Sequence, residues 1–215
     1  MPRLSAAEYR RRFLEMAKRR AKPGSGSSLE FLRSRTWRKP AVEIPPLKTP
    51  FVVVGAVATW LYMPQRATRD VDILIRASDA PAIAAELQQA GFVQTGRLSI
   101  GGTSWRAPNG AVLVVLESDV PWIDDALAKP NRSPDGLPVI ALPHLVLLKL
   151  AAGRGQDLVD IQRMLGQADE QTLHAVRDVV QRHRPADLDD LDSLIELGRL
   201  EYLGDSGEPG PNTHR

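Results

Sequence analysis

Apolar and polar positions alternate in short blocks through the first two-thirds of the chain, and after residue 143 their spacing becomes continuously helical. Phe51 to Val54 is an apolar run with no polar position, the pattern of a strand covered on both faces. Gly55 then opens a helix-like segment, Ala56 to Met63, which Pro64 ends. A basic loop leads into Asp70 to Arg76, a second strand. Ser78 or Asp79 stands where a helix cap belongs, ahead of Ile83, Ala84 and Leu87 and a stop at Gly91. Phe92 to Thr95 reads as a strand. Ser104 to Ala107 and Ala111 to Glu117 read as the arms of a hairpin around Pro108-Asn109-Gly110. The second arm is apolar from Ala111 to Leu116, so it belongs inside the sheet. Residues 121–128 have a helical pattern, and 137–141 form a short strand-like run. Helices are predicted over 143–153, 157–165, 169–183 and 188–203, with Gly153 and Gly166 as stops.

Ahead of this body, Ser5 with Glu8 forms a capping box, and Tyr9, Phe13, Met16 and Ala17 recur at helical spacing over 6–21. Residues 23–28 read as a flexible break. A short helix at 29–34 and an extended lead-in with three prolines (41–50) follow. The order of elements predicts an α/β (α+β) protein with a mixed sheet flanked by helices, an N-terminal helical extension and a C-terminal helical subdomain. The expected boundaries are 1–45 for the basic extension, 46–141 for the α/β core and 142–204 for the helical subdomain. A Gly- and Pro-rich tail, 205–215, is expected to be disordered. There is no internal repeat.

Composition narrows the function classes. A chain of 215 residues, 43% hydrophobic and 25% charged, supports one ordinary domain with a helical appendage, or two small domains. No apolar run approaches the roughly 20 residues of a membrane helix. The N-terminus lacks an apolar signal core, and Glu8 and Glu15 among its arginines argue against a transit peptide, so a cytoplasmic location is expected. The absence of cysteine excludes disulfides, a thiolate nucleophile and Cys-ligated zinc. Charge is lopsided: residues 1–40 hold twelve Lys and Arg against three Glu, and residues 186–215 hold eight acids against two Arg. Two readings follow: a basic arm that tracks a nucleic-acid backbone, or two ends that pair with each other or with a partner.

The candidate chemistry starts at Asp70 and Asp72. They flank Val71, and alternation along a strand turns both carboxylates to one face. Two carboxylates about 5 Å apart at an effective dielectric near 20 repel by roughly 3 kcal/mol. A cation or a shared proton relieves that cost, and magnesium or manganese prefers such oxygen ligands. The run Gly55-Ala56, then Arg66, Thr68, Asp70 and Asp72, resembles the signature of the polymerase-beta-type nucleotidyltransferase superfamily. Its R-x-T-x-D-x-D wording (Arg66 to Asp72) is especially similar to the AbiEii toxin-like branch.

The resemblance covers 51–165 and implies a nucleotidyltransferase-like core. It further implies nucleotidyl transfer from a nucleoside triphosphate to an RNA (such as tRNA) or protein acceptor, with Mg2+ or Mn2+. Asp70 and Asp72 would hold the metal. Gly55, Ala56 and the amides after them would cradle the phosphates. Arg66 and Thr68 belong to the same signature, and Arg66 with Arg69 would neutralise phosphate charge. A second stretch, Leu147 to Ile161, is similar to a downstream motif of that branch, with Lys149, Arg154, Asp157 and Asp160 in its places and Gln156 where a basic residue is usual. Lys149 is the catalytic candidate there, and Lys149 and Arg154 suit triphosphate or acceptor contacts. Asp157 belongs to the same set, and is equally readable as the N-cap of the next helix.

One departure bears on turnover. The superfamily places a third carboxylate on a later strand, and here that position falls on Val114; Glu117 has the opposite parity and Asp119 lies beyond the strand. The resemblance therefore implies either an enzyme, with an antitoxin protein as its partner, or a nucleotide- or RNA-binding member with impaired turnover. A third reading is an interaction protein acting through its charged ends. The four histidines have no partner at metal or triad spacing. The four tryptophans suit the core or its rim, although Trp105 beside Arg106 is placed where it could meet a base.

Overall fold

The computed structural model describes residues 5–21, 29–34, 37–68 and 70–203. The 23–28 break, the 205–215 tail and Arg69 lie outside the described residues. In chain order the elements are α1 (Ala6–Arg20), α2 (Leu29–Arg33), β1 (Val52–Val54), α3 (Gly55–Thr59), β2 (Asp70–Arg76), α4 (Ala80–Gln89) and β3 (Val93–Arg97). They continue with β4 (Thr103–Arg106), β5 (Val112–Ser118), α5 (Ile123–Ala128), β6 (Asn131–Arg132), β7 (Pro138–Val139), α6 (Leu142–Ala152), α7 (Gly155–Gly166), α8 (Glu170–His183) and α9 (Leu188–Tyr202). The chain divides into two compact units, Met1–Ser34 with Val146–Arg215, and Arg35–Leu145.

The second unit is built on one mixed seven-stranded sheet, ordered β3-β4-β5-β2-β1-β7-β6. β1 runs antiparallel to β2 and parallel to β7, while β2 runs parallel to β5. The central position of β1 explains its composition: Val52, Val53 and Val54 are all buried, so no position of the strand meets water. β5 lies between β4 and β2, as its apolar run requires. Along β2 and β5 the faces differ. Val71, Ile73, Leu113 and Val115 are buried on one side, whereas Asp70, Asp72, Val112 and Val114 keep some exposure on the other. α3 and α5 pack on β2, and α4 on β3.

Local chemistry moved some element ends. α4 is preceded by a tight turn, Ala77–Asp79, and Asp79 makes no side-chain cap; its carboxylate instead takes the Arg76 guanidinium at 3.3 Å. β6 has no apolar signal and exists because it pairs with β7.

In the first unit α1 packs on α7 and α9, and α7 on α9. The capping box at Ser5 and Glu8 is formed. Gly153 ends α6 with φ +60°, as a stop should. Gly166 does more. A Cβ there would lie 2.6 Å from the Gly198 backbone, and a Cβ on Gly198 would lie 2.2 Å from the Gln162 carbonyl oxygen. These two glycines let α7 and α9 touch backbone to backbone; α7 does end at Gly166, and the glycine there is also a packing requirement.

The two oppositely charged ends meet in this unit. Arg10, 1% exposed, donates to Asp190 at 2.5 Å, to the Leu150 carbonyl at 3.0 Å and to Asp187. Asp187 also accepts from Arg184. At least one arginine of the basic arm therefore serves the chain's own acids, since a buried guanidinium needs partners for its charge and its five N–H groups.

Candidate functional site

The site begins at a glycine that has to be a glycine. Gly55 leaves β1 with φ +65°, a region that a side chain rarely adopts. A Cβ built on it would stand 1.9 Å from Oδ2 of Asp72 and 2.8 Å from its Cγ. The Asp72 carboxylate therefore lies against the bare Cα of Gly55, at the start of α3. Pairing explains the approach, because Val54 stands opposite Asp72 in the antiparallel β1–β2 ladder and Gly55 is the next residue. Asp70, two residues before Asp72, shares its face and is exposed; Asp72 is half-buried.

The remaining residues of the first constellation surround this point unequally. Ala56 is buried in α3, and its carbonyl accepts the Thr59 hydroxyl at 2.6 Å, which keeps the short helix closed. Thr68 donates its hydroxyl to the Asp70 carbonyl at 3.2 Å and so shapes the entry to β2. The Arg66 carbonyl accepts from Trp60 Nε1 at 3.3 Å, which ties the basic loop back to the end of α3. Trp60 in turn meets Trp37 edge to face, with ring centroids 5.7 Å apart.

Register settles the position of the would-be third carboxylate. Asp72 pairs with Val114, so the valine stands directly beside the inner acid on the same face. Glu117 pairs with Ile75 on the other parity, and Asp119 lies past the end of β5. Among the described residues no group of three or more His, Asp or Glu side chains is arranged to hold a metal ion. Two carboxylates on one open face nonetheless suit a single hard divalent cation, which takes one or two protein carboxylates and completes its shell with phosphate oxygens and water.

The second constellation, in the other unit, is closed. Lys149 is buried and donates to Asp160 at 2.7 Å and to Asp157 at 3.2 Å. Arg154, largely exposed, reaches Asp157 at 2.7 Å, and Gln156 donates to Asp160 at 2.8 Å. Burial pushes the Asp157 carboxyl up, but the Arg154 hydrogen bond and the Lys149 and Arg154 charges outweigh it and hold the group below the usual carboxylate range. Asp157 is not the N-cap of α7: the helix starts two residues earlier, at Gly155, and Asp157 sits in its first turn. Structure thus joins Lys149, Arg154, Asp157 and Asp160 into one ion cluster within its unit; in the other unit it brings Gly55 against Asp72 and Thr68 against the Asp70 backbone.

Two details of the sheet were not legible. Trp105 is buried at 1% exposure, with Nε1 donated to Thr103 at 2.8 Å, so it does not offer its ring to a base. Its neighbour Arg106 is exposed and points to the acid-bearing face, because Arg106 pairs with Val112 and Val112 with Asp70. The signal in sequence was only the parity of β4, which says nothing until its register to β5 is known.

No family model matches the chain, and no curated protein matches it. Among solved structures it is similar to ANT(2'')-Ia, an antibiotic-resistance factor studied in solution, at 12% identity and a TM-score of 0.37, over 71% of this chain and 83% of that one. It is similar to ANT(2'')-Ia in complex with adenylyl-2''-tobramycin, at 13% identity and TM-score 0.38, over 71% of this chain and 88% of that one. A third is the lincosamide antibiotic adenylyltransferase LnuA bound to lincomycin, at 14% identity and TM-score 0.35, over 60% of this chain and 84% of that one. At such scores a likeness carries no argument about this chain's chemistry.

Proposed function

We propose that the chain is a nucleotidyltransferase of the polymerase-beta type, akin to the AbiEii-like branch, that moves a nucleotidyl group from a nucleoside triphosphate to an RNA or protein acceptor. The observation that carries this reading is the Asp72 carboxylate seated on the Cα of Gly55, with Asp70 on the same open face. In this reading the triphosphate lies on the Gly55–Ala56 side of the acids, with Arg66 and Arg69 as its basic loop. Asp70 and Asp72 are the residues that would hold magnesium or manganese, which when bound supplies charge neutralisation on the phosphates. An acceptor hydroxyl oxygen bonds to the α-phosphorus, the bond to the departing pyrophosphate breaks, and the hydroxyl proton passes to solvent. Lys149, Arg154 and Asp157 organise the other unit in this account. A toxin role with an antitoxin partner belongs to the same proposal, on the Arg66 to Asp72 wording alone.

A second reading has its own observation. Val114 stands in register with Asp72, where a third carboxylate would help activate the acceptor, and on this reading the chain binds nucleotide or RNA with weak turnover. Incubation with each labelled triphosphate, manganese and total RNA separates the two. Incorporation that Asp70→Ala and Asp72→Ala abolish supports transfer; no incorporation with any of the four, alongside a rise in Tm on adding triphosphate and magnesium, supports binding alone. No rise in Tm with any triphosphate removes both.

A further inference from the structure

The open face that carries the two acids continues across three more strands. At the level of Asp70 the register runs through Val112 on β5 to Arg106 on β4 and Val93 on β3. At the level of Asp72 it runs through Val114 to Ser104 and Gly96. Asp70, Arg106 and Val93 are exposed, and Asp72, Val112, Val114 and Ser104 are half-buried, so this strip faces outward along its whole width. Gly55 lies on the other side of the acids, toward β1. The strip therefore has acids at one margin, two valines in the middle and a cation with a hydroxyl at the far margin.

Arg106 makes no ion pair or side-chain hydrogen bond among the described residues. It stands two strands from Asp70, about 10 Å between backbones, and the two are not paired. Beside it the Thr95 hydroxyl donates to Ser104, with its carbonyl oxygen and Oγ each at 3.1 Å, which leaves the Ser104 hydroxyl proton to be donated outward. A guanidinium flanked by hydroxyls is the donor set that nucleic-acid phosphates receive. The valine in register with Asp72 matters here too, since a carboxylate at that position would put negative charge in the middle of the strip. Val112 and Val114 offer instead an apolar floor for the face of a base.

We propose that Arg106 is an acceptor-binding residue that contacts a phosphate of a single-stranded RNA acceptor laid across Val112 and Val114. This rests on the nucleotidyl-transfer reading, with the triphosphate on the Gly55 side of the acids and the acceptor on the β5–β4 side.

The test uses the full chain and a fluorescent single-stranded oligoribonucleotide of mixed sequence, with binding measured across a series of salt concentrations. Arg106→Ala should weaken binding several-fold and lower the slope of log K against log salt by about 0.7, one phosphate contact. Arg106→Lys should restore the slope, because the charge returns. The Tm rise with triphosphate and magnesium should be unchanged in both variants. Equal affinity and slope in wild type and Arg106→Ala overturns the assignment. So does a wild-type chain that responds to triphosphate but does not bind the oligonucleotide; that result leaves the nucleotide reading intact and points to an acceptor of another class. Conversely, an Arg106-dependent slope with no triphosphate response supports the phosphate contact and removes the transfer reading.

Discussion

Two clusters of acids and bases were drawn from the sequence as candidates for the same chemistry, and the fold treats them in opposite ways. Around Lys149 every charge is answered from within: two aspartates share the ammonium, and Arg154 and Gln156 take the remaining carboxylate oxygens. Asp157 and Asp160 are 2% and 0% exposed, so this is a buried network whose members depend on one another. Around Asp72 the carboxylates share an open face, one of them exposed and the other half-buried against the Cα of Gly55. Residue type does not separate a buried ion cluster from an acid pair on an open face; solvent access does.

The comparison breaks most readily at Lys149. Lys149→Met should leave two aspartates buried with only Arg154 and Gln156 nearby, at a cost of about 3–5 kcal/mol, read as a lower denaturant midpoint. A variant as stable as wild type would show that the cluster does not hold its unit together.

Asp72→Ala should do the reverse. Stability should change by less than about 1 kcal/mol, or rise as the repulsion with Asp70 is lost, while nucleotide incorporation should fall at least about a hundredfold, roughly 3 kcal/mol of activation free energy. A large fall in Tm with incorporation retained would assign Asp72 to the scaffold.

Gly55→Ala probes the contact between the two elements of the site. The new Cβ meets the carboxylate and the backbone is held at positive φ, so about 1–3 kcal/mol of stability should be lost, together with the triphosphate-induced rise in Tm. Retention of both would mean that the glycine is dispensable to the acid pair.

The smallest expected effect is on pH. The Asp157 carboxyl is held below its usual value near 3.8, so its contribution to stability is present above that value and is lost as pH falls through the lower, folded-state value. Urea midpoints should therefore decline in the acid range below about pH 4, and the Asp157-linked part of that decline should be absent in Asp157→Asn. An unchanged acid limb in Asp157→Asn would remove the group from the account.

Much of the sheet was legible because its signals are local. The three-valine strand, the Pro108-Asn109-Gly110 turn and the Asp70–Asp72 alternation each depend on neighbours within a few residues, and backbone sterics and strand pleating act over that range. β6 was not legible, since two polar residues become a strand only through β7. Gly166 was legible as the end of α7 but not as a contact: its partner, Gly198, lies 32 positions away, and helix spacing within α7 holds no trace of it.

Sequence alone determined that two carboxylates share one face and that a glycine opens the helix ahead of their strand. Those facts follow from dihedral limits and strand parity. Only the tertiary structure decided that Asp72 rests on Gly55, that Val114 stands next to it, that Arg106 lies on the same face, and that Lys149 is consumed by its own aspartates. Each of these is a contact between distant positions, fixed by register and packing that minimise the buried charge and polar groups left without partners.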